Sequence, residues 1–300
     1  MVLSFLLCPF RPGFQFKKEH LEALFRYARG IFGLPVLTLI YTEGATFVVG
    51  KLCAKDMLGI FAMALALARI PSLVGKLLVD LLMPAFSAVQ HDPQRVNRAL
   101  LRVTSLTVFL CLPALAFVSF YAEELLILAY GPKYVAGATA LALLFANEIL
   151  LTCNVPLATV YYMSLGQPAL MRWFSLLRAI LLAVTIYPAI KWFGLAGAGA
   201  APLLAMAISY WFQLVRMRAL TGLEVRPYAG LFLRGALLTL PCGVVWAGTE
   251  TVLSAARPFV TLLAAAVGCG TLYAAGGWWV WQRGKARELL GPLLGENRAA

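Results

Sequence analysis

A chain of 300 residues with 62% hydrophobic and 13% charged side chains is too apolar for an ordinary water-soluble domain, where about a quarter of the residues are charged. Its 25 Lys and Arg against 13 Asp and Glu give a formal charge of +12. The excess is spread over the connections between apolar stretches, and no base-stacking or groove-reading module stands outside them, which excludes nucleic acid as a partner and leaves membrane lipids.

Residues 1–10 are apolar but too short to span, and they lack a basic n-region and a small-residue cleavage site. They read as the tail of a helix whose beginning is absent. In residues 14–29, Leu21, Leu24, Phe25 and Ala28 recur at helical spacing opposite Lys17, Lys18, Glu22, Arg26 and Arg29. That pattern fits a helix lying in the cytoplasmic interface or a cytoplasmic extension of the first span.

Eight stretches then read as spans of a ~30 Å hydrocarbon core: 31–50, 57–86, 103–121, 137–163, 173–191, 194–215, 235–249 and 259–280. Their alternation places Arg11, Lys17, Lys18, Arg26, Arg29, Arg95, Arg98, Arg102, Arg172, Arg178, Arg216, Arg218, Arg226, Arg234, Arg283, Lys285, Arg287 and Arg298 on one set of flanks. Only Lys51, Lys55, Lys133, Lys191 and Arg257 fall on the other. Basic residues mark the cytoplasmic side, so both termini are predicted cytoplasmic. The expected fold is all-α: a polytopic membrane protein of about eight transmembrane helices. Its expected units are a helix end plus interfacial helix (1–30), a six-helix lobe (31–217), two additional helices (218–282) and a cytoplasmic tail (283–300).

Within the second span, Pro71 removes a backbone donor and predicts a kink or hinge. Short connections carry turn chemistry at His91-Asp92-Pro93, Tyr130-Gly131-Pro132 and Gly166-Gln167-Pro168. The run from Gly194 to Ala201 is rich in small residues and predicts close helix approach. Trp278, Trp279 and Trp281 end the last span as headgroup-level anchors. The cysteines (Cys8, Cys53, Cys111, Cys153, Cys242, Cys269) form no CxxC pair and read as buried free thiols.

Ionisable groups at membrane depth are functional candidates. Glu43 lies just past the middle of the first span, and Glu148, beside Asn147, near the centre of the fourth. Arg69, Ser72, Lys76 and Asp80 follow steps of three and four, which puts them on one face of the second. Two cations on an inward face suit a diphosphate or an acidic sugar, since guanidinium grips phosphate oxygens in a bidentate way. The alternative is structural: Lys76 pairs with Asp80, and Arg69 is neutralised by Glu43 or Glu148. Arg178, one turn inside its span, reads as snorkelling to the surface. No phosphate loop, nucleophile elbow or metal-spaced cluster is present, so neither catalysis nor a cofactor is expected. For a glycosyltransferase, Glu123-Glu124 is the only acidic pair worth testing.

The segments Val48-Val49-Gly50-Lys51, Leu58-Gly59-Ile60-Phe61, Ala64-Leu65-Ala66, Ile70-Pro71 and Pro84-Ala85-Phe86-Ser87 resemble the central signature of polysaccharide exporters. Pro113, Tyr130-Gly131-Pro132-Lys133-Tyr134, Leu165-Gly166-Gln167-Pro168 and Gly194-Leu195-Ala196-Gly197-Ala198 follow in the same order. These exporters are the O-antigen and exopolysaccharide flippases of the multidrug/oligosaccharidyl-lipid/polysaccharide superfamily. The resemblance implies a bacterial inner-membrane carrier that moves an undecaprenyl-diphosphate-linked oligosaccharide from the cytoplasmic to the outer leaflet. It also implies that this chain covers the second lobe of a two-lobed fold plus two extra C-terminal helices, as a truncated chain or half-carrier. Relatives commonly carry Asp five residues before the glycine matching Gly50; here Ala45 stands there. Other readings remain open. One is a relative that moves the peptidoglycan lipid precursor or drugs. Another is a non-transporting partner of a separately encoded first lobe or of a polysaccharide polymerase, and a third is an inactive remnant.

Overall fold

A computed structural model describes residues 32–89, 92–156, 168–222, 225–253 and 258–282, with Phe25 and Tyr162. The expectations for 1–10, for the interfacial helix 14–29 apart from Phe25, for His91, for Leu165-Gly166-Gln167 and for the tail 283–300 lie outside the described residues. So do those for the side chains of Trp278, Trp279 and Trp281. In chain order the helices are α1 (Leu34–Leu52), α2 (Lys55–Ala68), α3 (Pro71–Val89), α4 (Pro93–Phe120), α5 (Ala122–Tyr130), α6 (Ala138–Val155), α7 (Pro168–Thr221), α8 (Val225–Leu253) and α9 (Pro258–Gln282). A 3-10 turn, Pro132–Gly137, joins α5 to α6. The described residues are all-α.

Local chemistry sets these boundaries. Pro35 and Pro93 open α1 and α4, where a missing N–H costs nothing. The Asp92 carboxylate accepts from the Gln94 and Arg95 N–H groups at 3.0 and 3.1 Å, so it serves as the N-cap of α4. Glu123 and Glu124 occupy the first turn of α5, where the positive end of the helix dipole favours carboxylates. Between α2 and α3 the ladder breaks at Arg69-Ile70, and Pro71 begins the new helix.

Helix α7 reverses at Gly194, whose φ of 58° and ψ of −132° lie outside helical geometry. A side chain there would be strained. Its two limbs fold back on each other, and the Ser209 hydroxyl on the second donates to the Phe174 carbonyl on the first at 3.1 Å. The small residues after the bend permit the approach. A Cβ on Gly199 would lie 3.0 Å from Leu143 Cβ and 3.1 Å from the Ala140 carbonyl oxygen of α6.

Helix α6 is the hub, packing on α2, α3, α4, α5 and α7. The main core joins Val49, Phe61, Leu126, Leu141 and Ala198 around it. A second core, from α3, α4, α7 and α8, contains Phe86, Leu100, Tyr210 and Tyr228. A third links Tyr121, Trp246 and Ala265 where α8 and α9 meet the start of α5.

The outer surface carries large apolar side chains: Leu81 is 72% exposed, Trp192 74% and Val184 68%. The interior meanwhile buries Thr104, Asn147, Asn154, Arg178 and Gln213. This is the reverse of a water-soluble arrangement and is what a lipid solvent selects. The protein is a multi-pass membrane protein.

The expected count of about eight spans is corrected. Among the described residues, four helical stretches are long and apolar enough to cross a membrane: Lys55–Ser87, Gln94–Phe120, Pro132–Val155 and Ala169–Ala219. Counting apolar stretches overestimated them for physical reasons. Helix α1 is diluted by Glu43, Lys51 and the threonines at 38, 42 and 46. The stretches 173–191 and 194–215 lie in one helical stretch, Ala169–Ala219, that turns back at Gly194.

Candidate functional site

Three helices converge on one cavity of about 160 Å³, lined by Tyr41, Thr42 and Ala45 of α1, Leu144, Asn147, Glu148 and Leu151 of α6, and Arg178 and Pro202 of α7. The α2–α3 junction closes it with Leu65, Arg69 and Ser72. The helix break presents Arg69 here. It is the residue that ends α2, so its side chain leaves the bundle direction and reaches α1. Its Nη2 donates to Glu43 Oε1 at 2.7 Å and to the Thr42 carbonyl at 3.2 Å. Both partners of the ion pair are about half exposed. The Ser72 hydroxyl donates to the Arg69 carbonyl at 2.6 Å and stitches the break. On the opposite wall the Thr152 hydroxyl reaches the Pro71 carbonyl at 3.2 Å.

Arg178 is the residue that sequence reasoning misplaced. It does not snorkel. Only 6% exposed, its guanidinium carbon stands 4.1 Å from the centroid of the Tyr41 ring. That separation is well inside cation–π range. Glu148, on α6, lies in the field of both Arg178 and Arg69 and accepts from Asn147 Nδ2 at 3.3 Å. The one signal available in the sequence was a lone cation in an otherwise apolar run from Trp173 to Ile190. Counting turns from the helix end gave it the wrong direction.

The structure therefore brings together Arg69, Ser72, Asn147 and Glu148, with Glu43 bonded to Arg69 at the cavity edge. Lys76 and Asp80, further along α3 than Ser72, are exposed and do not line the cavity. Ion pairs among the described residues include Arg69–Glu43 and Arg95–Asp92, and Arg69 takes Glu43 rather than Glu148 as its bonded partner. A second, smaller compartment of about 60 Å³ shares Tyr41, Leu151 and Arg178 with the first and continues to Asn154, Ser175, Ser209 and Gln213.

The cavity thus gathers two guanidinium groups, the Glu148 carboxylate, an amide and hydroxyls inside an apolar shell. The family described as "Polysaccharide biosynthesis protein" matches residues 1–139. The succinoglycan biosynthesis transport protein ExoT of Rhizobium meliloti (strain 1021) is 26% identical over 174 residues, 57% of this chain and 35% of that protein. The amylovoran biosynthesis protein AmsL of Erwinia amylovora is 24% identical over 127 residues, 42% of this chain and 33% of that protein.

The chain is related to polysaccharide-export proteins.

It spans about a third of the length of these two relatives. Glu43, Arg69 and Ser72 fall within the stretch that matches the family, while Asn147, Glu148 and Arg178 lie beyond it. One wall of this cavity thus falls within the family-matched stretch and the other beyond it.

Proposed function

We propose that this chain forms part of a carrier, a flippase, that moves an undecaprenyl-diphosphate-linked oligosaccharide across the bacterial inner membrane toward the outer leaflet. The observation that carries the reading is a pair of arginines from different helices lining one cavity at membrane depth, inside an exterior built for lipid. Charged side chains at membrane depth are costly and mark substrate pathways. The Arg69 side chain donates to Thr42 and Glu43 through Nη2. A guanidinium has five N–H donors, so a diphosphate can engage Arg69 while displacing Glu43. Arg178, held flat on Tyr41, supplies a second fixed positive charge. Helix-lined carriers work by rocking one wall against another around such a site. The facing wall is supplied by further polypeptide in the export machinery, such as a separately encoded lobe.

The test is Arg69→Ala in cells whose polysaccharide export depends on this protein. A half-exposed ion pair contributes only about 0–1 kcal/mol to stability, so the variant protein accumulates normally in the membrane while export falls at least about ten-fold. Normal export with normal protein levels removes the diphosphate role. Loss of the protein itself would assign Arg69 to holding the fold.

The short span relative to ExoT and AmsL favours a second reading, a membrane partner that moves nothing alone. Co-purification with a second membrane protein, together with export indifferent to Arg69→Ala, would support it.

A further inference from the structure

The two compartments differ in chemistry. The larger holds the charges. In the smaller, Arg178 is the one charged side chain among the described residues of the lining, which include no carboxylate. Its polar groups are instead amides and hydroxyls drawn from distant parts of the sequence: Asn154 from α6, Ser175 from the first limb of α7, and Ser209 and Gln213 from the second.

Asn154 and Gln213 are each 5% exposed, and Asn154 Oδ1 and Gln213 Oε1 have no hydrogen-bond partner among the described residues. A buried amide oxygen left unpaired is costly, and a well-packed protein retains such groups where water or a ligand completes them. The volume, about 60 Å³, admits on the order of four or five water-sized groups at ~10–15 Å³ each. That is the edge of a ring rather than a lipid tail. An amide offers an acceptor and a two-hydrogen donor in one plane. A hydroxyl group, itself donor and acceptor, can satisfy both halves, whereas a phosphate oxygen can use only donors. Tyr41 and Phe174 add flat apolar faces suited to the C–H side of such a ring.

We propose that this compartment is a subsite for the neutral sugar next to the substrate's anionic group, with Asn154 and Gln213 as its specificity-determining residues. It rests on the carrier reading above, because the shared Tyr41–Arg178 wall is what places a sugar beside a bound diphosphate. Asn154 and Gln213 discriminate among glycans, and the arginines hold what all the glycan lipids share.

The test measures binding of two probes to the full chain in nanodiscs: undecaprenyl diphosphate, and undecaprenyl-diphosphate-linked glucose. Two well-placed hydrogen bonds predict that the glucose-bearing probe binds about ten-fold tighter. Asn154→Leu and Gln213→Leu erase that preference and leave affinity for the sugar-free probe unchanged. Should a leucine variant fail to fold, Asn154→Ala and Gln213→Ala, which open space instead of filling it, are read in the same way. Equal affinity of the unaltered chain for both probes makes the compartment a water pocket and overturns the inference alone. So does a preference that survives the substitutions. If neither probe binds, the carrier reading fails and the subsite falls with it.

Discussion

Replacing Arg178 by leucine tests whether the buried guanidinium is held by named partners or merely accommodated. Arg178 is almost fully enclosed, lies over the Tyr41 ring at 4.1 Å, and shares its field with Glu148. Leaving the half-buried Glu148 carboxylate without the cation whose field it shares costs up to the roughly 3–5 kcal/mol of a broken buried pair. The desolvated cation–π contact adds about 2 kcal/mol. A leucine in the same space returns about 1.5–3 kcal/mol of apolar burial. The net expectation is a loss of roughly 2–5 kcal/mol. At about 2–4 °C per kcal/mol for a chain of this size, the midpoint of thermal unfolding in detergent, at one fixed scan rate, drops by roughly 5–15 °C. The double variant Arg178→Leu/Glu148→Gln carries no orphaned carboxylate and recovers more than half of that loss. An unfolding midpoint for Arg178→Leu within about 2 °C of the parent would refute the reasoning. So would a double variant no more stable than the single one.

Local packing predicts opposite signs for two helical glycines, Gly199 on α7 and Gly230 on α8. Gly199→Leu drives a side chain into Leu143 and the Ala140 backbone and costs about 1–3 kcal/mol or more. Gly230→Ala meets nothing within 4 Å on helix α8 and gains roughly 0.5–1 kcal/mol; thermal unfolding of the two variants separates them. Tyr228→Phe removes the hydroxyl partner of Tyr210, which keeps its bond to the Cys153 carbonyl at 3.3 Å, so the loss stays near about 1 kcal/mol in the same assay. Glu43→Gln changes stability by less than about 1 kcal/mol, because the pair is half exposed. Under the proposed function it also tightens binding of undecaprenyl diphosphate by relieving competition for Arg69, measured by titration in nanodiscs.

The site was legible where depth alone constrained it. Glu43, Arg69 and Glu148 are charges in apolar surroundings, and a charge at that depth must find a partner or a cavity. Their convergence follows from that requirement with little further information. What depended on the third dimension was not legible. The step pattern put Arg69, Ser72, Lys76 and Asp80 on one face, but the cavity reaches only Arg69 and Ser72, and Lys76 and Asp80 are exposed further along α3. Arg178 was assigned to the surface because its distance from the helix end is a one-dimensional measure. Tyr41, more than a hundred residues away, covers it. Asn154 and Gln213 gave no signal at all, since a lone amide in an apolar run is unremarkable until both line one cavity. The span count failed at α1 because an apolar run is local, whereas the polar residues spread along the whole helix decide whether it can cross.

The charges in the cavity bear on how a carrier of this kind can let go. Arg69 and Arg178 face Glu43 and Glu148, two of each sign, so the empty site is balanced and needs no counter-ion. A bound diphosphate brings negative charge that only a rearrangement among these four can absorb. Glu148 is placed between the arginines on the hub helix and is bonded to Asn147. Glu43 sits at the half-exposed edge of α1 and is tied to the site through a single Arg69 nitrogen. Of the two carboxylates, Glu43 is the one that can leave without unpacking the core. Its return to Arg69 then competes directly with the bound anion. A site built this way holds its cargo less tightly than two bare arginines would, and that weakness suits a carrier, which must release on the far side what it bound on the near one.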